Sequence, residues 1–147
     1  MEGIDFKVVF NVDNKLFFDA LMIRKNVFVD EQNVDITEEI DDYDDKAYHV
    51  VGYLLAEPIC CARIYIDVNK CYWGRVAVIK KYRKKKVGNK LIEFLKEYSK
   101  KELSASEVII EAQLHSIDFY KNNGFEIIDE EIKVISNIEH KTMKLVL

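Results

Sequence analysis

The sequence contains few of the residues that interrupt or crosslink a chain. One proline and five glycines among 147 residues are too few for a linker or a low-complexity segment. The three cysteines, Cys60, Cys61 and Cys71, are an odd number with an adjacent pair, which is a poor disulfide framework and has no CxxC zinc spacing. The three histidines are dispersed without ligand spacing. The sequence therefore predicts no bound metal.

Long apolar runs are also missing. The longest fall far short of the roughly 20 residues needed to cross a membrane. The first residues, Met1 to Asp5, have neither the basic start nor the apolar stretch of a signal peptide. We therefore expect a cytoplasmic protein without membrane contact. A length of 147 residues suits a single domain over residues 1–147.

What the sequence does contain is charge that is segregated along the chain. The formal net charge is −4, yet residues 80–86 carry six bases, while residues 30–45 carry nine acids and no base. A lone run of charge is usually a solvated face. The presence of both runs in one small chain favours a site that holds an anion at one end and attracts a cation at the other.

The spacing of apolar residues predicts alternating strands and helices. We expect helices over residues 14–29, 84–101 and 116–123, and a loop with some short helix over residues 30–45. Strands are expected over residues 6–10, 47–55, 58–66, 72–79, 108–112, 125–128 and 141–147. The resulting order, β-α-β-β-β-α-β-α-β-β, predicts a mixed sheet flanked by helices, which is a three-layer α/β/α fold.

The basic run joins the fourth predicted strand to the helix that follows it. Backbone N–H groups at a helix start have no partners within the helix, and the helix dipole favours an anion there. Six cations surround this helix start. The sequence therefore predicts a ligand that carries phosphate.

Four motifs follow one another along the chain. Residues 24–32 have the pattern Arg-x-x-Val-Phe-x-x-Glu-Gln, residues 83–88 match the first and last positions of Gln/Arg-x-x-Gly-x-Gly/Ala, and residues 119–125 match Phe-Tyr-x-x-x-Gly-Phe throughout. Ala112-Gln113 stands before the last of these. In these motifs and in its order of elements, the chain resembles the GNAT N-acetyltransferase superfamily, and within it a bacterial subgroup of small acetyltransferases. One position departs, because Lys86 stands where the superfamily prefers glycine.

The resemblance implies a GNAT-like, mostly antiparallel sheet of six to seven strands, with acetyl-CoA as co-substrate. The pantetheine arm would pair with the backbone of Val76, Ala77 and Val78, where the fourth strand splays away from the fifth. Gln113 falls where many members contact the pantetheine or phosphate region, although it could equally cap a strand end. The pyrophosphate would lie on a turn formed by Arg83, Lys84, Lys85, Lys86, Val87, Gly88 and Asn89.

The resemblance also implies a catalytic acid. Tyr120 matches a tyrosine that lies beside the CoA sulfur. A phenol with a pKa near 10 can protonate a departing thiolate, whose thiol has a reference pKa of about 8.5. Packing in the core is the alternative role for this side chain.

A base is also needed, because a primary amine is mostly protonated at pH 7. The residues that rank first are Glu31 and Glu39, which fall on the subgroup pattern. Further candidates in or after the acidic stretch are Asp41, Asp44 and His49, and Arg24 and Arg63 are candidate ion-pair partners for these carboxylates.

Three functions are compatible with these residues. The first is transfer of an acetyl group from acetyl-CoA to a primary amine of a small molecule or a protein, by direct attack in a ternary complex, since no cysteine falls on a motif. The second is a non-catalytic acyl-CoA-binding or sensing domain, which Lys86 motivates. The third, nucleic-acid binding through the lysines, is disfavoured by the acidic net charge. A homodimer is a further possibility, as dimers are common among similar proteins.

Overall fold

A computed structural model, which describes residues 3–147, contains a seven-stranded sheet with helices on both faces. The strands are β1 (Ile4–Phe10), β2 (Ala47–Leu54), β3 (Glu57–Asp67), β4 (Lys70–Val78), β5 (Glu107–Gln113), β6 (Glu126–Ile135) and β7 (Ile138–Val146). The helices are α1 (Lys15–Arg24), α2 (Ile36–Glu39), α3 (Val87–Lys101) and α4 (Ile117–Asn122). A π-helical segment (Lys25–Glu31) continues α1, and short 3₁₀ turns lie at Asp44–Lys46, Lys80–Tyr82 and Leu114–Ser116.

Across the sheet the strand order is β1-β2-β3-β4-β5-β7-β6. The β4–β5 pair is parallel, and each of the other neighbouring pairs is antiparallel. The predicted fold class, a mixed and mostly antiparallel sheet flanked by helices, is therefore confirmed. Within the described residues, no helix combines the length and the apolar character that crossing a bilayer requires.

The two faces of the sheet bury different helices because successive side chains of a strand point to opposite faces. Val50 and Cys60 belong to the hydrophobic cluster that packs against α3, which contributes the buried Leu91. Their neighbours Val51 and Cys61 belong to a second cluster with α1. The sheet is thus the middle layer, and its two surfaces are available for different parts of a site.

The largest differences from the predicted element boundaries are at the end of α1, at the start of α3 and in the β6–β7 hairpin. The helix expected over residues 14–29 changes to π-helical hydrogen bonding after Arg24, which apolar spacing does not reveal. The helix expected from residue 84 begins at Val87, because Lys84 and Lys86 both have a positive φ. Strands β6 and β7 form a longer hairpin than expected, since β6 lies at the sheet edge and exposes most of its side chains, so it has no apolar alternation.

The two parallel strands separate soon after they meet. Only Cys71↔Val108 and Tyr72↔Ile109 pair across β4 and β5. Farther along, β4 has a bulge where its register with β3 shifts, and Arg75 at the bulge has φ +52°. The sheet therefore opens between β4 and β5 towards the start of α3.

Candidate functional site

The opening between β4 and β5 leads into a cleft with a volume of about 980 Å³, a size typical of small-molecule sites. Ten of the twelve predicted cofactor-binding residues line it: Val76, Ala77, Val78, Arg83, Lys84, Lys86, Gly88, Asn89, Gln113 and Tyr120. The other two do not border it, since Val87 is buried in the core and Lys85 is exposed outside the cleft. Of the two predicted bases, Glu39 lines the cleft and Glu31 does not.

One end of the cleft is the turn that enters α3. The first backbone bond of the helix runs from the Lys90 N–H to the Lys86 carbonyl, at 3.1 Å. Within the described chain, the N–H groups of residues 84–89 have no hydrogen-bond partner. Six consecutive free donors at a helix start, with lysines around them, suit a phosphate group.

The backbone at Lys86 explains why the motif prefers glycine there. Lys86 has φ +63° and ψ +17°, which is the left-handed conformation. Glycine adopts this conformation without strain, whereas a residue with a Cβ does so at some cost. The lysine keeps the glycine-like backbone, and its side chain is exposed. The departure from the motif therefore leaves the turn in place.

Arg83 is tied to the protein on two sides. Its Nε donates to the Val78 carbonyl at 2.9 Å, and its Nη2 contacts Glu31 Oε2 at 2.5 Å. The guanidinium thus joins the end of β4 to the π-helical segment. Glu31 has its carboxylate in this ion pair, and the neighbouring Gln32 accepts a hydrogen bond from Gln113 Nε2 at 2.9 Å.

Gly88 matters for the packing of α3 against α4. A Cβ at this position would lie 3.1 Å from the ring of Phe119, which is closer than nine in ten real Cβ contacts. Phe119 itself lines the cleft beside Tyr120. The last glycine of the turn motif and the first aromatic of the Phe-Tyr motif are therefore in contact.

Tyr120 is a buried residue on α4 whose side chain borders the cleft. Among residues 3–147, its hydroxyl has no hydrogen-bond partner. Burial raises the pKa of this phenol above its usual range, so it stays protonated at neutral pH. A protonated hydroxyl without a protein partner is available to donate to a group in the cleft.

Four cleft-lining residues, Glu39, Asp41, Arg63 and Arg75, belong to a closed ring of alternating charges. Each arginine of the ring contacts two carboxylates, and each carboxylate contacts two arginines. Around the ring the residues are Arg24, Glu39, Arg75, Asp41, Arg63 and Asp44, with successive contacts of 2.7, 2.8, 3.3, 2.7, 3.0 and 2.9 Å. We call these six residues the charge ring. It joins α1, the acidic stretch, β3 and the bulge of β4.

Four of the six residues of the charge ring are buried. Arg24, Glu39 and Asp44 are almost fully buried. Burial alone would raise the pKa of Asp44, but the hydrogen bonds and positive charges of Arg24 and Arg63 outweigh it and hold that pKa at about 2. Below the ring, His49 Nε2 contacts the Asp44 carbonyl at 3.0 Å. The expected pairing of Arg24 and Arg63 with carboxylates of the acidic stretch is confirmed.

With this geometry in place, comparison with known proteins identifies the family. A family model described as an acetyltransferase (GNAT) domain matches residues 22–147. The chain belongs to the GNAT acetyltransferase family. Family membership supports acyl transfer from acetyl-CoA as the class of reaction.

Individual GNAT proteins and structures agree with this assignment. The chain is 31% identical over 137 residues to the uncharacterized N-acetyltransferase YjcF of Bacillus subtilis (strain 168), covering 93% of this chain and 97% of that protein. An acyl-CoA N-acyltransferase from Pseudomonas aeruginosa has the same fold, with a TM-score of 0.86, 22% identity, and coverage of 98% and 100%. A GNAT family acetyltransferase from Elizabethkingia anophelis, solved with acetyl-CoA bound, has a TM-score of 0.69, 16% identity, and full coverage of both chains.

The GNAT cleft also contains a histidine that sequence reasoning set aside. His140 lines the cleft on β7, opposite Gln113 in the register. Its Nδ1 contacts the Ile138 carbonyl at 2.8 Å, which makes Nδ1 the donor and leaves Nε2 as an acceptor. The polar alternation His140, Thr142 and Lys144 along β7 was the available signal, but only the strand pairing shows that this face borders the cleft.

Metal binding was not expected from the sequence. Within residues 3–147, no group of three or more histidine, cysteine, aspartate or glutamate side chains is arranged to hold a metal ion. The three cysteines are buried and unpaired. Burial raises the pKa of Cys60 to about 12 and that of Cys61 further still, so neither thiol supplies a thiolate at neutral pH.

Proposed function

We propose that this GNAT protein transfers an acetyl group from acetyl-CoA to a primary amine by direct attack in a ternary complex. The observation that carries the proposal is a single cleft that joins a group of free N–H donors to the hydroxyl of Tyr120. One end offers free N–H donors at the start of α3, where Lys84, Lys86, Gly88 and Asn89 line the cleft. The sheet opening beside it leads to the phenol of Tyr120. Bound acetyl-CoA supplies the thioester from which the acetyl group leaves.

The residues of the opened sheet fit that co-substrate. Free N–H groups of residues 84–89 would bind the pyrophosphate, and the unpaired edge of β4 beyond the bulge would bind the amides of the pantetheine arm. The Ile79 N–H donates to Ile59 of β3 at 2.9 Å. Because successive N–H groups of a strand point to opposite edges, the Val78 N–H faces the gap. There it can stabilise negative charge that develops on the carbonyl oxygen.

Direct transfer is favoured over an acetyl-enzyme because the cysteine thiols are buried and protonated. Tyr120 is proposed as the acid that protonates the departing sulfur. The alternative of a non-catalytic acyl-CoA-binding domain rested on Lys86. Its left-handed backbone leaves the donors of the turn in place, which supports a working enzyme instead.

Replacement of Tyr120 by phenylalanine tests the acid role. We expect kcat to fall about 100-fold, because general acid catalysis typically contributes at least this much. The affinity for acetyl-CoA, measured by calorimetry, should stay the same, since the variant loses only the hydroxyl. Turnover is measured as free thiol release with a panel of primary amines. The matched control is Tyr98→Phe, on α3 outside the cleft.

Two outcomes would contradict parts of the proposal. An unchanged kcat in Tyr120→Phe would remove this residue as the acid. Tight acetyl-CoA binding by the wild-type protein without thiol release for any amine would support the non-catalytic alternative.

The proposed base is one of three residues. Glu31 and Glu39 remain the candidates of the subgroup pattern, although each would have to accept a proton while paired with an arginine. His140 is a third candidate. Burial lowers the pKa of its imidazole and keeps the ring neutral at pH 7. This effect outweighs the hydrogen bond that the ring donates to the Ile138 carbonyl and the charge of Glu111, which both raise the pKa. The three candidates are compared through the pH dependence of kcat/KM in the variants Glu31→Gln, Glu39→Gln and His140→Gln. The variant that lacks the base should no longer show the fall in kcat/KM on the acidic side of the profile.

Three further expectations remain predictions of this proposal. They are a cytoplasmic location, the absence of a nucleic-acid partner, and a possible homodimer. Gel filtration with light scattering tests the last of these.

A further inference from the structure

Three tyrosines stack side by side along the cleft. The ring centroids of Tyr43 and Tyr65 are 4.4 Å apart, and those of Tyr65 and Tyr72 are 5.1 Å apart, with interplanar angles of 29° and 11°. All three line the cleft, and Tyr43 is 36% exposed. We call these three residues the tyrosine stack.

The tyrosine stack lies on the face of the sheet that is turned away from α3. Tyr65 and Tyr72 are directly opposite each other on β3 and β4. The next residue, Trp73, points to the other face, where its Nε1 donates to Ser99 of α3 at 3.0 Å. Since successive residues of a strand alternate faces, the stack is on the far side of the sheet from that helix.

Along the strands, the tyrosine stack lies where the opening between β4 and β5 begins. Tyr72 pairs with Ile109 at the last contact before β4 and β5 separate. The stack therefore stands at the closed end of the opening, whereas the free N–H groups of residues 84–89 are at the other end. The stack and Tyr120 border the same cleft, so an amine that packs against these rings would lie in the cleft that contains the proposed acid.

The acidic stretch supplies little net charge to this part of the cleft. Three of its carboxylates belong to the charge ring, where three arginines balance them. Glu111, across the cleft, has Lys133 at 3.5 Å. Among the described acids that line the cleft, Glu38 is the one without an ion pair. A single carboxylate does not make a strong polycation site.

We infer that the acceptor is a primary amine attached to an aromatic or other flat apolar group, which packs against the tyrosine stack. This inference rests on the proposed function, since it names the acceptor class of the same site. Aromatic rings gain from offset or edge-to-face contact with other rings beyond the area that they bury. The charges of the charge ring cancel, and the single unpaired carboxylate of Glu38 gives no comparable advantage to a polyamine or a lysine-rich peptide.

Binding to the CoA-loaded protein tests the acceptor class without turnover. Calorimetry compares phenylethylamine and tryptamine with propylamine, spermidine and glucosamine. We expect the two aromatic amines to bind about 10-fold more tightly than the other three. In the thiol-release assay, the same order is expected for kcat/KM.

Two variants of Tyr43 separate binding from folding. Tyr43→Leu should weaken the binding of aromatic amines several-fold and leave the binding of propylamine unchanged. Tyr43→Phe should bind aromatic amines as tightly as the wild type, because the ring and not the hydroxyl makes the contact. Tyr48→Leu, on β2 outside the cleft, is the matched control.

The inference is overturned if spermidine or glucosamine binds more tightly than the aromatic amines, or if Tyr43→Leu weakens all amines equally. These outcomes differ from failure of the proposed function. An aromatic amine that binds at the stack without thiol release contradicts catalysis and still supports the inference, whereas turnover with a preferred polyamine supports catalysis and contradicts the inference.

Discussion

Lys86 shows how a single residue can depart from a motif and keep its geometry. The sequence shows a lysine where the GNAT turn prefers glycine, and a substitution at such a position suggests a damaged phosphate site. The structure places this lysine in the left-handed conformation that explains the preference. What the motif needs at this position is a backbone angle, and the lysine supplies it at a cost in stability.

Replacing Lys86 by glycine should therefore stabilise the unliganded protein. The left-handed conformation costs a residue with a Cβ about 1–2 kcal/mol, while glycine loses part of that gain by making the unfolded chain more flexible. The net effect should be about 1 kcal/mol, which is a rise in Tm of about 2–4 °C for a chain of this size. Scanning calorimetry without CoA measures it.

Lys85 provides the matched control. It is exposed and does not have a positive φ, so Lys85→Gly has no strain to relieve and should lower Tm. Equal shifts in the two variants would show that left-handed strain at Lys86 is not the reason for the motif's preference.

At the scale of elements, most strands and helices followed from apolar spacing, and the exceptions have physical causes. The change from α1 to the π-helical segment leaves the apolar positions Val27 and Phe28 in the same run, so the sequence gives no sign of it. The segment contacts the candidate site, because Glu31 at its end pairs with Arg83 and the following Gln32 accepts a hydrogen bond from Gln113. The subgroup motif thus connects the turn, β5 and α1.

The charge ring was predicted only in part. Acids in the stretch 30–45 and the arginines Arg24 and Arg63 could be matched as pairs from the sequence. The third arginine, Arg75, could not, since its side chain reaches the ring only because the bulge turns the backbone of β4 to a positive φ. Whether the ion pairs close into a ring depends on the register of the strands, and the charge composition of a sequence gives no information about register.

Neutralising one member of the charge ring should be costly. In Asp44→Asn, Arg24 and Arg63 each lose a charged partner in a buried site. Breaking a buried ion pair by removing one partner typically costs about 3–5 kcal/mol. We expect a loss of about 3 kcal/mol in the free energy of unfolding, measured by urea denaturation.

Asp45→Asn is the control for that experiment, since Asp45 is the exposed neighbour in the same 3₁₀ turn. It should change stability by less than about 0.5 kcal/mol. A similar loss in both variants would mean that the ring contributes no more than a solvated acidic loop.

For the molecule as a whole, the fold and the turn could be predicted from motifs, while the far side of the cleft could not. The resemblance placed the co-substrate on β4 and the start of α3, and most of those residues do line one cleft. Tyr65 and Tyr72 face each other across the β3–β4 hairpin, Tyr43 reaches them from the acidic stretch, and His140 reaches the cleft from β7. Their meeting depends on the pairing of β3 with β4 and of β5 with β7.

The buried titratable groups predict how the stability of the whole protein depends on pH. Burial lowers the pKa of His49 and of His140 in the folded state. The unfolded chain therefore takes up more protons as the pH falls below about 6.5, and stability decreases from there. Protonation of Asp44 causes a second loss of stability at lower pH. Its folded pKa is about 2, below the unfolded value of about 4, so about 2 kcal/mol is present above pH 4 and is lost by pH 2.

Urea denaturation at pH 7, 6, 5, 4 and 3 should thus give a free energy of unfolding that falls in two stages. The histidine stage is assigned with His49→Gln, which should flatten the slope between pH 7 and 5 because the variant has no imidazole to protonate at that buried position. A wild-type stability that stays constant or rises as the pH falls from 7 to 5 would contradict a neutral, buried imidazole at His49. The same result would weaken the case for His140 as a base, since both depend on burial that favours the uncharged ring.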